Sequence, residues 1–203
     1  MNEVQQVQQV RQGRQGQYVI RAVRGDEWEK VRDLRIAALE DPAAPVAFLE
    51  TVEQARSHPD EFWQGRARGA SHGRAARQFV AEGPDGRWDG SVTVLVEEGG
   101  TTDFFDRPVE RTQGHVVGVF VRTEQRGTGL TEALFAAALD WAWGLEEPAV
   151  ERVRLFVHED NARAGAFYRR YGFEASGTVV PVPGSAATDA KELEYVLRRP
   201  AGA

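Results

Sequence analysis

The chain has 203 residues, a hydrophobic fraction of 41% and a formal net charge of −6. This length predicts one ordinary domain with a packed core. The acidic balance argues against a nucleic-acid partner, because that affinity comes mainly from neutralising phosphates. The sequence contains no cysteine, which excludes disulfides, thiolate metal sites and a cysteine nucleophile and fits a reducing compartment.

The N-terminal region predicts neither a membrane segment nor a secretory signal. No apolar run approaches the roughly 20 residues of a membrane helix, and the N-terminus lacks the apolar stretch of a signal peptide. We therefore expect a cytoplasmic protein without a membrane partner. Residues 1–16 repeat polar units with too little apolar surface to order themselves, which predicts a flexible tail. Residues 17–200 are expected to form a single domain.

The first half of this domain predicts a strand, two helical segments and a β-hairpin. Residues 18–23 alternate like a strand, and residues 26–41 place apolar side chains at helical spacing. A second helical stretch is interrupted at Pro59. Residues 83–86 are a turn signal between two strand-like segments. The polar stretch of residues 99–113 is long for a connection inside a compact domain.

The second half of the domain alternates strands and helices. Residues 114–121 form a nearly continuous apolar strand of the kind that is buried on both faces. A helix over residues 130–143, a strand over residues 152–158 and a short helix between Asn161 and Gly172 follow. Two final strands are joined by a Pro- and Gly-rich loop. This order predicts an α/β fold with some parallel pairing.

The segment from Arg126 to Gly129 lies between the apolar strand and the start of a helix. Glycine lets the backbone approach a ligand closely, and the first turn of a helix offers unpaired N–H groups and a positive dipole end. Together these features form an anion site suited to a pyrophosphate, to which Arg126 adds charge and Thr128 or Thr131 a hydroxyl donor. Tight turns also use two such glycines, so this segment alone leaves both interpretations open.

Two motifs together resemble the GCN5-related N-acetyltransferase superfamily. The segment from Glu124 to Gly129 is similar to that family's coenzyme A loop, although Glu124 stands where the family prefers Gln or Arg. The segment from Asn161 to Phe173 is similar to its later helix motif. The resemblance covers residues 18–199. It implies a mixed central β-sheet flanked by helices, with strands that splay apart at the acetyl-CoA site.

The resemblance implies direct transfer of an acetyl group from acetyl-CoA to a primary amine in a ternary complex, without a metal. Asn161 would hydrogen-bond the pantetheine region, and the Tyr168 hydroxyl would protonate the departing thiolate. The backbone amide of Val119 would stabilise the oxyanion. The implied cofactor contacts come from the apolar strand, the loop and the two helix starts: Val119, Phe120, Val121, Arg126, Gly127, Thr128, Gly129, Leu130, Thr131 and Asn161.

Two residues are candidates for the general base that deprotonates the amine. His115 begins the apolar strand, and regular alternation predicts that its side chain shares a face with Val119 and Val121. The unperturbed pKa of histidine, about 6.5, suits proton uptake near neutral pH. Glu82, at the end of an earlier strand, is the second candidate. Phe156 stands where ribosomal-protein acetyltransferases of this family carry their base, and it cannot accept a proton.

The resemblance assigns acceptor specificity mainly to the connection between the first two helices, here residues 41–53. Phe48 and Glu50 would form an amine pocket with an apolar wall and an anionic end. The segment Phe104–Phe105 has three open roles: a lid, a homodimer contact or a loop anchor. The acidic balance favours a cationic acceptor, and a small-molecule amine is favoured over a protein amine. The alternative function is a non-catalytic acyl-CoA-binding or interaction module with the same fold.

Overall fold

The computed structural model describes residues 18–182 and 189–200, so the predicted tail and most of the loop before the last strand lie outside the described residues. No helix within these ranges is long and apolar enough to cross a membrane. The strands are β1 Val19–Ala22, β2 Ala76–Glu82, β3 Trp88–Glu97, β4 Gln113–Val121, β5 Arg152–His158, β6 Glu174–Pro181 and β7 Lys191–Arg198. The helices are α1 Trp28–Leu39, α2 Val52–Ser57, α3 Asp60–Ser71, α4 Leu130–Trp143 and α5 Ala162–Tyr171, with short 3-10 turns at Ala44–Val46 and Thr123–Gln125.

The strands of the described residues join one mixed sheet in the order β1-β2-β3-β4-β5-β7-β6. Strands β4 and β5 are parallel, and every other neighbouring pair is antiparallel. The β4–β5 ladder runs only from the Gln113–Arg152 pair to the His115–Arg154 pair. The two strands therefore diverge after His115, and the predicted α/β architecture with splayed strands is confirmed.

Helices cover both faces of the sheet and bury a separate core on each. On one face, Val92 of β3 packs with α4 and α5 around the fully buried Phe135. On the other face, Val80 of β2 packs beneath α1 and α3 around the fully buried Trp63. We call these the α4 face and the α1 face. The sheet separates the two cores, and it is interrupted where β4 and β5 stop pairing.

Strand β4 contains a bulge in the region where it leaves β5. The register with β3 shifts by one residue between Ser91 and Thr93, so Gly118 and Val119 together lie opposite one residue of β3. Gly118 has a φ of +62°, which lies in the left-handed region that favours glycine. The extra residue reverses the alternation of side chains along the rest of the strand.

This bulge corrects one prediction from the sequence. Before the bulge, Val116 packs on the α4 face, so its neighbour His115 points to the α1 face. After the bulge, Val119 and Val121 also pack on the α4 face. His115 therefore does not share a face with these two valines, because regular alternation fails where a strand carries an inserted residue.

Candidate active site

The gap between β4 and β5 is the centre of the candidate site. Beyond His115, the edge of β4 that faces β5 has no ladder partner among the described strands. Backbone N–H and C=O groups rarely stay unpaired when they are shielded from water. This edge, from residue 116 to residue 121, is therefore suited to bind an extended ligand that itself carries amide groups, and the bulge at Gly118 lies in its middle.

The loop after β4 forms an anion site at the start of α4. Gly127 has a φ of +76°, and Gly129, the N-cap of the helix, has a φ of +90°. The first backbone bond of the helix runs from the Ala133 amide to the Gly129 carbonyl. The amides of residues 130–132 therefore have no acceptor within the helix, and they point toward the loop with the positive end of the helix dipole. This geometry fits a phosphate group.

Two side chains of this loop are already bound to the protein. Arg126 donates from Nε to the Val121 carbonyl at 2.9 Å and forms an ion pair with Asp41, which lies in the connection after α1. Burial opposes ionisation of Asp41, but a backbone amide and Arg126 outweigh it and lower the pKa of this carboxyl. Thr128 donates its hydroxyl to a loop carbonyl at 2.8 Å. The predicted phosphate contacts of these two side chains thus require existing bonds to break, whereas the amides of residues 130–132 have no acceptor within the helix.

Helix α5 begins at Asn161, which is its N-cap. The side-chain oxygen accepts a hydrogen bond from the Ala164 amide at 3.2 Å, as a helix cap does. The side-chain nitrogen donates to the Val46 carbonyl at 3.1 Å. Asn161 thus connects the start of α5 to the segment between α1 and α2. A pantetheine contact by this nitrogen would compete with its bond to Val46.

Tyr168 lies two turns after Asn161 on the same side of α5, and it is 7% exposed. Its ring packs in the core of the α4 face against Phe135 and Phe173. Burial raises the pKa of the Tyr168 phenol well above its usual range. The hydroxyl therefore keeps its proton at neutral pH and can act as a donor.

His115 lies in a buried charged cluster on the α1 face. Its Nδ1 is 2.9 Å from Oε1 of Glu97, and its ring packs against Phe156. Burial opposes ionisation of Glu97, but hydrogen bonds from His115 and Arg154 outweigh it and lower the pKa of Glu97 to about 2. An ionised Glu97 only accepts hydrogen bonds, so Nδ1 carries the proton and Nε2 of neutral His115 keeps a lone pair.

Arg154 is the centre of this cluster, and it was not among the residues predicted from the sequence. The side chain is 2% exposed and contacts Glu97 at 2.6 Å, Asp103 at 2.9 Å and Glu194 at 3.3 Å. A buried charge of this kind is tolerated because it is paired and hydrogen-bonded. The only signal in the sequence was the pair Arg152 and Arg154, which stand at alternate positions of the strand over residues 152–158.

The cluster also anchors the long loop of residues 99–112 over the α1 face. Besides binding Arg154, Asp103 accepts hydrogen bonds from the backbone amides of Phe105, at 2.8 Å, and Arg107. The rings of Phe105 and Phe156 lie 4.7 Å apart, whereas Phe104 is 65% exposed. Of the three roles left open for the two phenylalanines, the structure assigns Phe105 to anchoring the loop.

Two carboxylates predicted to take part in the site are paired with cationic side chains from other parts of the sequence. Glu82 is bound by Arg21 at 2.7 Å and by Lys30 at 3.4 Å. The hydrogen bond from Arg21 is the largest of the effects that lower its pKa to about 2, so Glu82 is a weak base. Glu50 pairs with Arg35 at 2.9 Å and contacts His58 at 3.1 Å. It is therefore not the free anionic end of an amine pocket.

A recess on the α1 face borders the gap between β4 and β5. It lies between α1, α3 and strands β2 to β4, and its volume is about 320 Å³ with the part open to solvent included. Gly118 and Phe120 line its wall, and they flank Val119 in β4. We call this cavity the α1–α3 recess; its polar lining consists of Arg35, Arg66, Gln78, Ser91 and Thr93. Within residues 18–182 and 189–200, no group of three or more His, Asp or Glu residues could hold a metal ion.

Three features together are typical of an acyltransferase fold. They are a mixed sheet with diverging central strands, a glycine loop at a helix start and a buried tyrosine on the next helix. The model of the acetyltransferase (GNAT) family matches residues 28–173. The chain therefore belongs to this family, as the two sequence motifs predicted.

Three known proteins illustrate the similarity. Mycothiol acetyltransferase of Saccharomonospora viridis is 38% identical over 102 residues, which is 50% of this chain but 31% of that protein, so the match spans about a third of that relative. The L-amino acid N-acetyltransferase AaaT of Escherichia coli is 28% identical over 167 residues, covering 80% of this chain and 86% of AaaT. PaiA N-acetyltransferase from Thermoplasma acidophilum, solved in complex with coenzyme A, has a TM-score of 0.65 at 14% identity, over 90% of this chain and 99% of that one. This last likeness shows the fold.

We expect Glu97→Gln to change stability in a pH-dependent way. The pKa of Glu97 is lowered from 4.5 to about 2, so its stabilisation is present above pH 4.5 and is lost as the pH falls toward 2. The variant should lose about 1–3 kcal/mol of unfolding free energy at pH 7, and its stability should fall less steeply on acidification. Urea unfolding at pH 7, 4.5 and 3 measures both effects. The exposed Glu98→Gln is the matched control, and parallel curves for all three proteins would contradict the expectation.

Proposed function

We propose that the protein is an acetyl-CoA-dependent N-acetyltransferase that acts on the primary amine of a small molecule. The observation that carries this proposal is the divergence of β4 and β5 directly beside the anion site at the start of α4. An amide-binding edge that leads to a phosphate site matches a ligand with a pyrophosphate at one end of an amide-bearing arm. Membership of the acetyltransferase family and the three acetyltransferases named above support it.

In this proposal the cofactor lies in the gap between β4 and β5. The backbone of residues 119–121 binds one side of the pantetheine arm, and Asn161 binds the other side after releasing Val46. The pyrophosphate rests on the amides of residues 127–131, with Arg126 as the charged side chain. Acetyl-CoA supplies the activated acetyl group, and the protein supplies the groups that bind it.

The proposed reaction forms a bond between the amine nitrogen and the acetyl carbon and breaks the carbon–sulfur bond of the thioester. A free amine has a pKa of about 10.4 and a thiol a pKa of about 8.5, so the amine needs a base more than the thiolate needs an acid. Preorganised N–H groups stabilise the charge that develops on the carbonyl oxygen, and the Val119 amide takes this role. Tyr168 gives its proton to the departing thiolate.

His115 is the proposed base that receives the proton of the amine. Its side chain points to the α1 face, the same side of the sheet as the α1–α3 recess, although it does not line that recess. Glu97 holds Nδ1 and leaves the lone pair on Nε2, as in catalytic pairs in which a carboxylate orients a histidine. With no cysteine in the chain, transfer in a ternary complex replaces a cysteinyl intermediate.

The second candidate is a non-catalytic acyl-CoA-binding or interaction module. One observation favours its interaction-module form: Arg126 and Asn161, which a cofactor would need, are already bound to Asp41 and Val46. Against it stands the combination of a buried Tyr168 hydroxyl, for which no hydrogen-bond partner is seen among the described residues, with the Glu97–His115 pair. The cytoplasmic location and the domain boundary at residue 17 remain predictions from the sequence, and a homodimer contact remains one of the open roles of the segment Phe104–Phe105.

The first test is thermal unfolding with and without acetyl-CoA, followed by thiol release across a panel of amines. A ligand at 100 times its dissociation constant stabilises the native state by about 2.7 kcal/mol, so the midpoint should rise by several degrees. Acetyl-pantetheine, which lacks the pyrophosphate, is the matched control and should give a smaller shift. No shift with acetyl-CoA would overturn the proposal, and a shift without thiol release from any amine would favour the binding module.

Tyr168→Phe should lower turnover by about 100-fold or more, because loss of a general acid typically costs 10²- to 10⁴-fold. Binding of acetyl-CoA should stay unchanged, since only the hydroxyl is removed. Thiol release under saturating substrates and calorimetric binding of acetyl-CoA separate the two effects. Tyr171→Phe on the same helix serves as control. Turnover equal to that of the parent would remove Tyr168 from the mechanism.

His115→Ala should lower the rate near pH 7 and recover part of it at high pH, where a growing fraction of the amine is already neutral. The expected loss at pH 7 is on the order of 100-fold. Pre-steady-state acetyl transfer measured from pH 6 to pH 10 checks this, with His158→Ala as the control for loss of a histidine. A pH–rate profile with the parent's shape would eliminate His115 as the base.

A further inference from the structure

Arg66, on α3, is a cation without a counter-ion in the α1–α3 recess. Within residues 18–182 and 189–200, its guanidinium has neither an ion pair nor a hydrogen bond, and it lies over the ring of Trp63 at 5.9 Å. Burial, with the nearby charge of Arg35, lowers the pKa of Arg66, and Glu50 only partly opposes this. Shielded charges in proteins are normally paired. The recess therefore carries a half-buried positive charge for which none of the described residues supplies a directly paired anion.

Arg35 lines the same recess, but its situation is different. Its Nε donates to Glu50 at 2.9 Å, and its guanidinium lies 4.5 Å from the centre of the Phe48 ring. This pairing fixes Arg35 and uses Glu50 as its counter-ion. The charge that is left over in the recess is thus the positive charge of Arg66.

Three polar side chains in the recess also lack partners. Gln78, Ser91 and Thr93 are 7%, 5% and 8% exposed and line the recess from β2 and β3. None of their side chains hydrogen-bonds another of the residues that the structure describes. Two of them are directly opposite each other, since Gln78 pairs with Thr93 in the β2–β3 ladder. An amide and two hydroxyls can all donate to an oxyanion, and the sheet holds them in fixed positions.

The recess connects this polar end to the proposed site of reaction. Gly118 and Phe120 line its wall, and between them lies Val119, whose amide is the proposed oxyanion donor. A molecule held at Arg66 thus extends its other end toward the bulge.

We infer that the α1–α3 recess binds the acceptor through a carboxylate, with Arg66 as the anchoring cation. The acceptor is then a small molecule with a carboxylate close to its primary amine, as in an α-amino acid. A guanidinium matches a carboxylate with two parallel hydrogen bonds, and Gln78, Ser91 and Thr93 bind the remaining lone pairs. The amine then faces Gly118. This inference rests on the proposed function for the transfer step, and it replaces the cationic acceptor that the net charge favoured.

The test compares matched amines in the native protein and in variants. The pairs are L-alanine with ethylamine and L-leucine with 3-methylbutylamine, which differ only by the carboxylate, and L-leucinamide supplies a neutral replacement. We expect kcat/KM for the amino acids to exceed that for the decarboxylated amines by 10- to 100-fold, the range for hydrogen bonds to charged groups. Arg66→Gln should abolish this preference mainly through KM and leave the simple amines within twofold. Arg66→Lys should restore part of it.

Arg68→Gln, an exposed arginine on the same helix, is the matched control and should behave as the parent. The acetyl-CoA thermal shift of each variant reports whether it is folded. Equal kcat/KM values for both members of each pair, unchanged in Arg66→Gln, would overturn the inference and leave the proposed function intact.

Calorimetric titration with L-leucine alone separates the remaining outcomes. If no amine is acetylated but the native protein binds L-leucine and Arg66→Gln abolishes this binding, the carboxylate site is supported and the proposed function fails. Without acetyl transfer and without L-leucine binding, both fail.

Discussion

The candidate site depends on the point at which β4 and β5 stop pairing. Three paired positions hold the two strands together up to His115 and Arg154, and beyond them each strand pairs only with its other neighbour. A parallel ladder that ends inside a sheet leaves backbone groups in a shielded position, and such groups need partners. The anion site of α4, the bulge at Gly118 and the α1–α3 recess all lie around this opening. A ligand that satisfies the free edge is thereby also placed between the two faces of the sheet.

Two arginines on the α1 face, Arg154 buried and Arg66 half-buried, show how the same residue type serves structure and recognition. Arg154 contacts three carboxylates and fixes the long loop through Asp103, so the protein itself supplies its counter-ions. Arg66 has no carboxylate partner among the described residues and lies in a recess with three other unpartnered polar side chains. The distinction is whether the folded chain supplies the counter-ion or leaves it to a ligand.

The connection between α1 and α2 ties both cofactor motifs to the acceptor side of the molecule. Asp41 binds Arg126 of the glycine loop, and the Val46 carbonyl accepts from Asn161 of the helix motif. A cofactor that recruits Arg126 and Asn161 therefore releases this connection at two points. In the proposed function, arrival of the donor and arrangement of the acceptor side are physically linked through these two bonds.

The sequence by itself determined the order of the strands and helices, the glycine loop at the start of α4 and the capped helix that begins at Asn161. These features follow from local periodicity, glycine conformation and helix capping, which depend on neighbouring residues. Only the tertiary structure decided which polar groups are free. The bulge at Gly118 reversed the face of His115 relative to the later valines, and Glu82 was neutralised by Arg21, a residue 61 positions away. Arg66 carried no sequence signal at all, because a missing partner becomes visible only once every neighbour in space is known.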